Sequence, residues 1–397
     1  MKYKLLLLFV LSTTYLYGQA VQEKPKMLLS DMNMQIEATQ AVNDMYNFRF
    51  SEAEMKFKWI RKQHPEHPLP YFLLGLSEWW KIVPNIDVQN YDHDLLAYMD
   101  TSITLSEKIF DRDENNIEAA FFLAAAHGFK ARLFSERHEW RKAAFSGKNS
   151  LKYLDKSKGY EELSPEFLFG DALYNYYREW IPDNYPALKS ILWLFPKGNK
   201  ELGLQQLREV SNNAFYTRTE AQYFLMRIYT DENQPEKAYQ LAKYLYETFP
   251  DNAYFHRYFA RMAYAQGRID ETEQASMSIL DKLSRNMPGY EVTSGRYASY
   301  FLAYIHFYNN DMEQAKSYYK KAVVYSEQAN AYESGYYLAS LTALGRIYHK
   351  EHNYAESEKY YNVILNRAEK KSDSYKEAKA YMSNKNKKQR KKAEAGV

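Results

Sequence analysis

Leu344-Gly345-Arg346-Ile347-Tyr348, followed by Tyr354, Ser357, Tyr361 and Ile364, decides the fold of this 397-residue chain. Within each set the apolar residues step by three or four, the spacing of one helical face, so the stretch reads as two successive amphipathic helices. Gly345 and Ser357 are small where the two helices must lean together, and His349-Lys350-Glu351-His352 marks the predicted break between them.

One such pair cannot bury its apolar faces alone, so others must stack on it. The place of Gly345 is taken in earlier pairs by Met226, Ala260 and Ala303, at successive steps of 34, 43 and 42 residues. Leu225-Met226-x-x-Tyr229 goes with Ala238 and Pro250, and Phe259-Ala260 with Gly267 and Ile279. Ala303 goes with Ala315, Tyr319 and Ala322. The longer steps predict extra turns, notably at Asn286–Arg296, which holds Pro288 and Gly289.

The Leu-Gly-x-x-Tyr core and the 34-residue step resemble the tetratricopeptide (TPR) repeat family over residues 219–367. The resemblance implies an all-α solenoid: antiparallel helix pairs in a right-handed superhelix whose concave face is lined by the first helix of each pair. Residues 120–230 are similar to the inclusion-body-clearance branch of TPR proteins, through Trp140-Arg141-Lys142-Ala143 and the Gly198–Leu207 run. The carboxylate-clamp pattern of chaperone-binding TPR domains is absent.

Aligning the repeats gives two rows expected to face the groove. The position after the small residue holds Arg227, Arg261, Tyr304 and Arg346, and four residues earlier stand Tyr223, Arg257, Tyr300 and Thr342. Arginine forks grip carboxylates at two points and tyrosine gives contact area at low entropic cost, the composition of binding hot spots. Two readings stay open at this point. Tyr223, Arg227, Arg257, Arg261, Tyr300, Tyr304 and Arg346 form a groove for an acidic or C-terminal peptide, or the arginines pair with acids of neighbouring helices and hold the array together.

The N-terminal half is less regular. Residues 34–210 read as an irregular helical-repeat region and 211–380 as the TPR repeats. Ala41, Met45, Ala53, Phe57 and Ile60, closed by Pro65, make a first pair; Tyr71, Leu74 and Gly75 open the next; Ala119–Gly128 is a close-packing run that pairs with Trp140–Ala144 and Leu151. Pro182, Pro186 and Pro196 surround Ile191–Phe195, an insertion expected to break the pattern between 171 and 210. It reads either as a plug inside the superhelix or as a membrane-surface contact. The total is about seven helix pairs.

A basic start (Lys2, Lys4), an apolar run from Leu5 to Leu11 and small residues up to Ala20 predict a secretory signal peptide over 1–20, then a linker over 21–33. The sequence contains no cysteine, which excludes disulfides, thiolate metal sites and a cysteine nucleophile. With the signal, that fits export to a bacterial periplasm or cell surface. Lys385–Lys392 make 381–397 a basic tail expected to be disordered, able to touch a membrane or another anionic surface or simply to solubilise the end.

The formal net charge of +3 is concentrated at the ends, so no basic nucleic-acid surface is expected. His64/His67 and His349/His352 are each three apart at predicted helix ends, not the four-apart pair of a zinc protease. No nucleophile elbow, phosphate loop or dinucleotide glycine pattern occurs. No cofactor or metal is expected, and no catalytic residue. The sequence reads as an exported TPR scaffold that binds a protein or peptide partner. A glycan-binding envelope module is the alternative, ahead of an enzyme with its site in the central insertion.

Overall fold

The computed structural model describes residues 27–394 apart from 158, 161–163, 194 and 334. The expected signal peptide, residues 21–26 of the linker and the last three residues lie outside that set. The described residues form an all-α, TPR-like solenoid, with no strand among them.

Each pair is two helices packed on each other. They are α1 (Met32–Tyr46) with α2 (Phe50–Gln63), α3 (Pro68–Ile82) with α4 (Asp92–Phe110), and α5 (Ile117–Glu136) with α6 (Trp140–Ser157). Next come α7 (Leu168–Asn184), the single turn α8 (Lys189–Leu192) and α9 (Lys200–Asn213), then α10 (Arg218–Asp231) with α11 (Pro235–Thr248). The last are α12 (Ala253–Ala265) with α13 (Ile269–Ser284), α14 (Val292–Tyr308) with α15 (Met312–Gln328), and α16 (Gly335–Lys350) with α17 (Tyr354–Arg367). Helix α18 (Asp373–Glu394) covers the end.

A short turn chemistry explains why the chain keeps doubling back. After α1, α5, α10, α14 and α16 the left-handed backbone conformation is taken by Phe48, His138, Asn233, Asn310 and His352, and after α12 by Gly267. The next amide reaches back to a carbonyl five residues earlier, as Arg49 N–H to Asp44 O (2.9 Å) and Gln234 N–H to Tyr229 O (2.7 Å). This ends the helix and satisfies carbonyls that would otherwise lack partners. Asn252, Asp311 and Asn353 then cap following helices by accepting from the backbone N–H three residues on.

Four expectations change. Residues 171–210 do not break the array, because α7 and α9 form a full pair; Gly203 lets them touch backbone to backbone, an added Cβ falling 2.6 Å from Tyr176 N and 2.7 Å from Ala172 O. There are therefore eight pairs among the described residues, not seven. The inserted residues are reduced to 185–199 and stay outside the array, with Trp193 83% exposed. Trp79 and Trp80 of α3, both fully buried, fill the interior instead.

The described part of the linker is not free: Leu29 is buried and its N–H donates to Glu118 Oε1 at 2.6 Å. At the other end, α18 carries helical backbone through Glu394, into the segment expected to be disordered. Lysine, arginine, glutamine, alanine and glutamate are all good helix formers.

The solenoid also closes on itself. Arg257 of α12 donates to Pro84 O at the end of α3 (2.7 Å), Asn252 to Tyr46 O (2.7 Å), and the Asp251 N–H to Asn47 Oδ1 (2.9 Å). Gly289, at φ +75°, lies against the Phe48 ring. These contacts join residues 173 to 241 apart in sequence.

Candidate functional site

The inner face is built where α3, α5, α7, α10, α12, α14 and α16 converge. Its deepest point is Glu220, a buried carboxyl that accepts from Trp80 Nε1 (2.6 Å) and from Tyr46 OH (3.4 Å), with Arg132 Nη1 at 4.0 Å. Burial pushes this carboxyl up, and Arg132 with the two donors offsets that only in part.

One helical turn along α10 stands Tyr223. Its hydroxyl accepts from Arg132 Nη2 and from Arg227 Nη1, both at 2.9 Å. Burial alone would raise this phenol, but the two guanidinium charges outweigh it and hold the group below its ordinary value. Arg132 lies over the rings of Trp79 (4.2 Å) and Phe224 (4.9 Å), so aromatic faces as well as polar atoms fix its fork.

From Tyr223 a ladder of rings runs toward the C-terminus. Tyr254 is 5.4 Å from Tyr223 and 5.8 Å from Tyr258, Tyr297 is 5.0 Å from Tyr336, and Tyr300 is 4.6 Å from Tyr336. Arg257 bridges the ladder between Tyr254 (5.6 Å) and Tyr297 (5.8 Å). Arg261 lies over Tyr258 at 4.4 Å, and the Tyr258 hydroxyl is held by Thr230 Oγ1 at 2.6 Å. Arg296 lies over Tyr297 at 5.1 Å.

The arginines divide into two kinds. Arg257 is spent on the fold: besides Pro84 O it donates to Ser294 Oγ (3.0 Å) and pairs with Glu291 (3.5 Å). Arg346 is spent likewise, its fork closed on both oxygens of Glu377 in α18, which Tyr361 OH also meets at 3.0 Å. Arg227, Arg261 and Arg296 form no ion pair among the described residues, and the Nε atoms of Arg261 and Arg296 are buried without a hydrogen-bond partner. The carboxylate that feels both Arg227 and Arg261, that of Asp231, pairs with neither.

The structure thus brings Tyr223, Arg227, Arg257, Arg261 and Tyr300 of the expected rows onto one surface. Tyr304 stands a step further, against Tyr264 (5.1 Å) and Tyr308 (4.5 Å), and Arg346 is apart at the α18 contact. Sequence reasoning missed Glu220, Tyr254, Tyr258 and Tyr297, each three residues before a chosen position and so one helical turn away; the neighbour rule for helices would have added them. Arg132 and Tyr336 had no such signal. Among the described residues no three of His, Asp and Glu gather to hold a metal ion.

No protein-family model matches this chain, and no curated protein matches it. Solved structures match it at low identity. The human IFIT1 dimer with PPP-AAAA is 14% identical with a TM-score of 0.39, the match covering 80% of this chain and 68% of that one. Yeast Tom70 is 12% identical at 0.37, covering 81% and 64%, and the P58(IPK) TPR domain 10% identical at 0.22, covering 89% and 98%. At such distances the likeness is to the fold alone, and the inner face has to be read from its own chemistry.

Proposed function

We propose that this protein is an exported scaffold that holds an acidic segment of a partner protein against its inner face. The observation that carries the reading is Arg261: a guanidinium set among Tyr258, Tyr254, Tyr297 and Tyr336 that meets no carboxylate of its own chain among the described residues. Arg227 stands one repeat away with one hydrogen bond, to a phenol. A charge in such a place is under-compensated, and an incoming carboxylate supplies what the fold does not. The tyrosines around it offer area without the entropy loss of longer side chains.

Export rests on the basic and apolar start of the sequence together with the absence of cysteine, and a bacterial periplasm or cell surface is the setting proposed. The likeness of residues 120–230 to the inclusion-body-clearance branch is one of sequence and supports none of this.

The test is fluorescence anisotropy with a labelled Asp/Glu-rich peptide, on the intact mature protein and on the Arg227→Glu, Arg261→Glu variant. Binding that weakens about tenfold or more in the variant, and that falls with salt, is the expected result. A neutral envelope glycan and a single-stranded oligonucleotide run as competitors, since tyrosine and arginine also stack on sugars and bases. Unchanged peptide affinity in the variant sinks the reading; stronger binding of either competitor replaces it.

A further inference from the structure

A cavity lies away from the inner face, between α5 and α6. It is an open cleft of about 300 Å3, lined by His127, Lys130, Phe134, Arg141, Lys142, Phe145 and Ser146. It lies beside the turn at His138, which takes φ +57°.

Its charge is of one sign. Lys130 is paired with Asp100 and Lys142 with Glu139, while Arg141 forms no ion pair among the described residues, and no carboxylate lines the cavity. These cations surround the first turn of the 18-residue α6, which carries no acidic residue. A helix start is itself a positive pole; Glu139 just before it is taken up by Lys142, which leaves Arg141 beside that pole without an acid among the described residues.

The walls are aromatic. Phe145 is 68% exposed although it borders the cavity, and Phe134 lies under Lys142 Nζ at 5.3 Å. His127 completes the lining: 9% exposed, stacked on Tyr153 at 6.1 Å, its Nδ1 buried with no hydrogen-bond partner. Burial, helped by Lys130, keeps this imidazole neutral by lowering its pKa to about 4. A neutral imidazole presents a donor and an acceptor without adding to the cost of burying charge.

We infer that this cleft is a binding site for a small aromatic carboxylate, its ring between Phe134 and Phe145 and its carboxylate on Arg141 at the start of α6. The anion meets Arg141, the one cation of the lining without an ion pair among the described residues, and the ring covers apolar surface that the fold leaves open. The site is independent of the inner face and uses none of its residues.

The experiment is calorimetric titration of the mature protein with 2-naphthoate, with the ring resonances of His127 followed by NMR. Saturable binding with Kd below about 1 mM is expected, with shifts at His127. The neutral 2-naphthol should bind at least about tenfold more weakly. Arg141→Glu and Phe145→Ser, both exposed positions that leave the helices intact, should each weaken 2-naphthoate at least about fivefold, and Trp59→Ala on α2 should leave it unchanged. The site is refuted if binding does not saturate, if 2-naphthol binds equally well, or if either cleft variant binds as the parent does.

Discussion

The first six helix pairs and the last two are built from the same unit yet held together differently. From Leu29 to Phe301 the buried side chains form one continuous core, tied across the seam by Arg257, Asn252 and Asp251. Beyond Phe301 the core breaks into two small clusters, one around Ala303, Tyr319 and Leu344, the other around Tyr337, Tyr361 and Ala378. In the last pairs each repeat leans only on its neighbours, so stability adds up step by step. In the closed part a distant contact makes each repeat depend on several others. One repeat chemistry therefore gives a cooperative block and a separable end.

The strongest way to break this contrast is a matched pair of truncations. Trp80→Ala empties a site between Tyr46, Tyr223 and Phe255 and removes the donor at 2.6 Å from Glu220. A loss of about 3–5 kcal/mol is expected, with lost hydrogen-exchange protection across α1 to α13 together. Leu344→Ala should cost about 2–4 kcal/mol and release only α14 to α18. If Leu344→Ala also loosens α1 to α3, the two parts are one block.

Glycines sharpen the same contrast at single atoms. A Cβ on Gly203 meets main-chain atoms of α7, which cannot step aside. One on Gly345 meets the Tyr361 ring at 3.0 Å, and the ring can tilt. Gly203→Ala should therefore cost at the upper end of ~1–3 kcal/mol, whereas Gly345→Ala should fall within about 1 kcal/mol of parent, since alanine regains helix propensity. Thermal denaturation of both variants decides it. A larger loss at Gly345 would place the tighter packing in the C-terminal repeats.

Gly345 was legible because it stands in register with Ala260 and Ala303, and with Met226, and Gly203 was not because the prolines at 182, 186 and 196 hide the register around it. The same holds for the site. Arg227 and Arg261 could be chosen by alignment, and so could Arg257 and Arg346, but which of them the fold consumes depends on Pro84, Glu291 and Glu377. Periodicity reports the face a side chain occupies. It carries no information on a carbonyl 173 residues away.

Acid should act on the closed block first. His256 of α12 is fully buried, stacked on Tyr246 at 4.4 Å and hydrogen-bonded through Nδ1 to the Tyr290 hydroxyl at 2.9 Å. Burial, with Lys282 nearby, lowers its pKa from 6.5 to about 3. The unfolded imidazole binds a proton that the folded one refuses, so its contribution is intact above pH 6.5 and is lost as pH falls toward about 3. At pH 5 the loss is about 2 kcal/mol, and unfolding takes up close to one proton here. His349 and His352 of the last repeats are exposed. Urea titrations at several pH values should show α1 to α13 weakening on acidification, and His256→Gln should remove about half of that slope, the rest coming from His127 of α5, whose pKa is likewise lowered, to about 4. An equal slope in the variant refutes the assignment.

The smallest stability effect separates the two kinds of arginine. Arg346→Ala opens an exposed fork on Glu377, worth about 1 kcal/mol or less to the α16–α18 contact. Arg261→Ala removes a charge that is partnered by ring faces and by no carboxylate, and the truncation leaves no acid orphaned among the described residues. Stability should stay within about 0.5 kcal/mol of parent, because the lost contact with Tyr258 is offset by relief of an under-compensated charge. Binding of the acidic peptide should fall by about tenfold in Arg261→Ala and stay level in Arg346→Ala. If Arg261→Ala instead destabilises the fold by several kcal/mol, this arginine belongs with Arg257, and the inner face is a brace and not a groove.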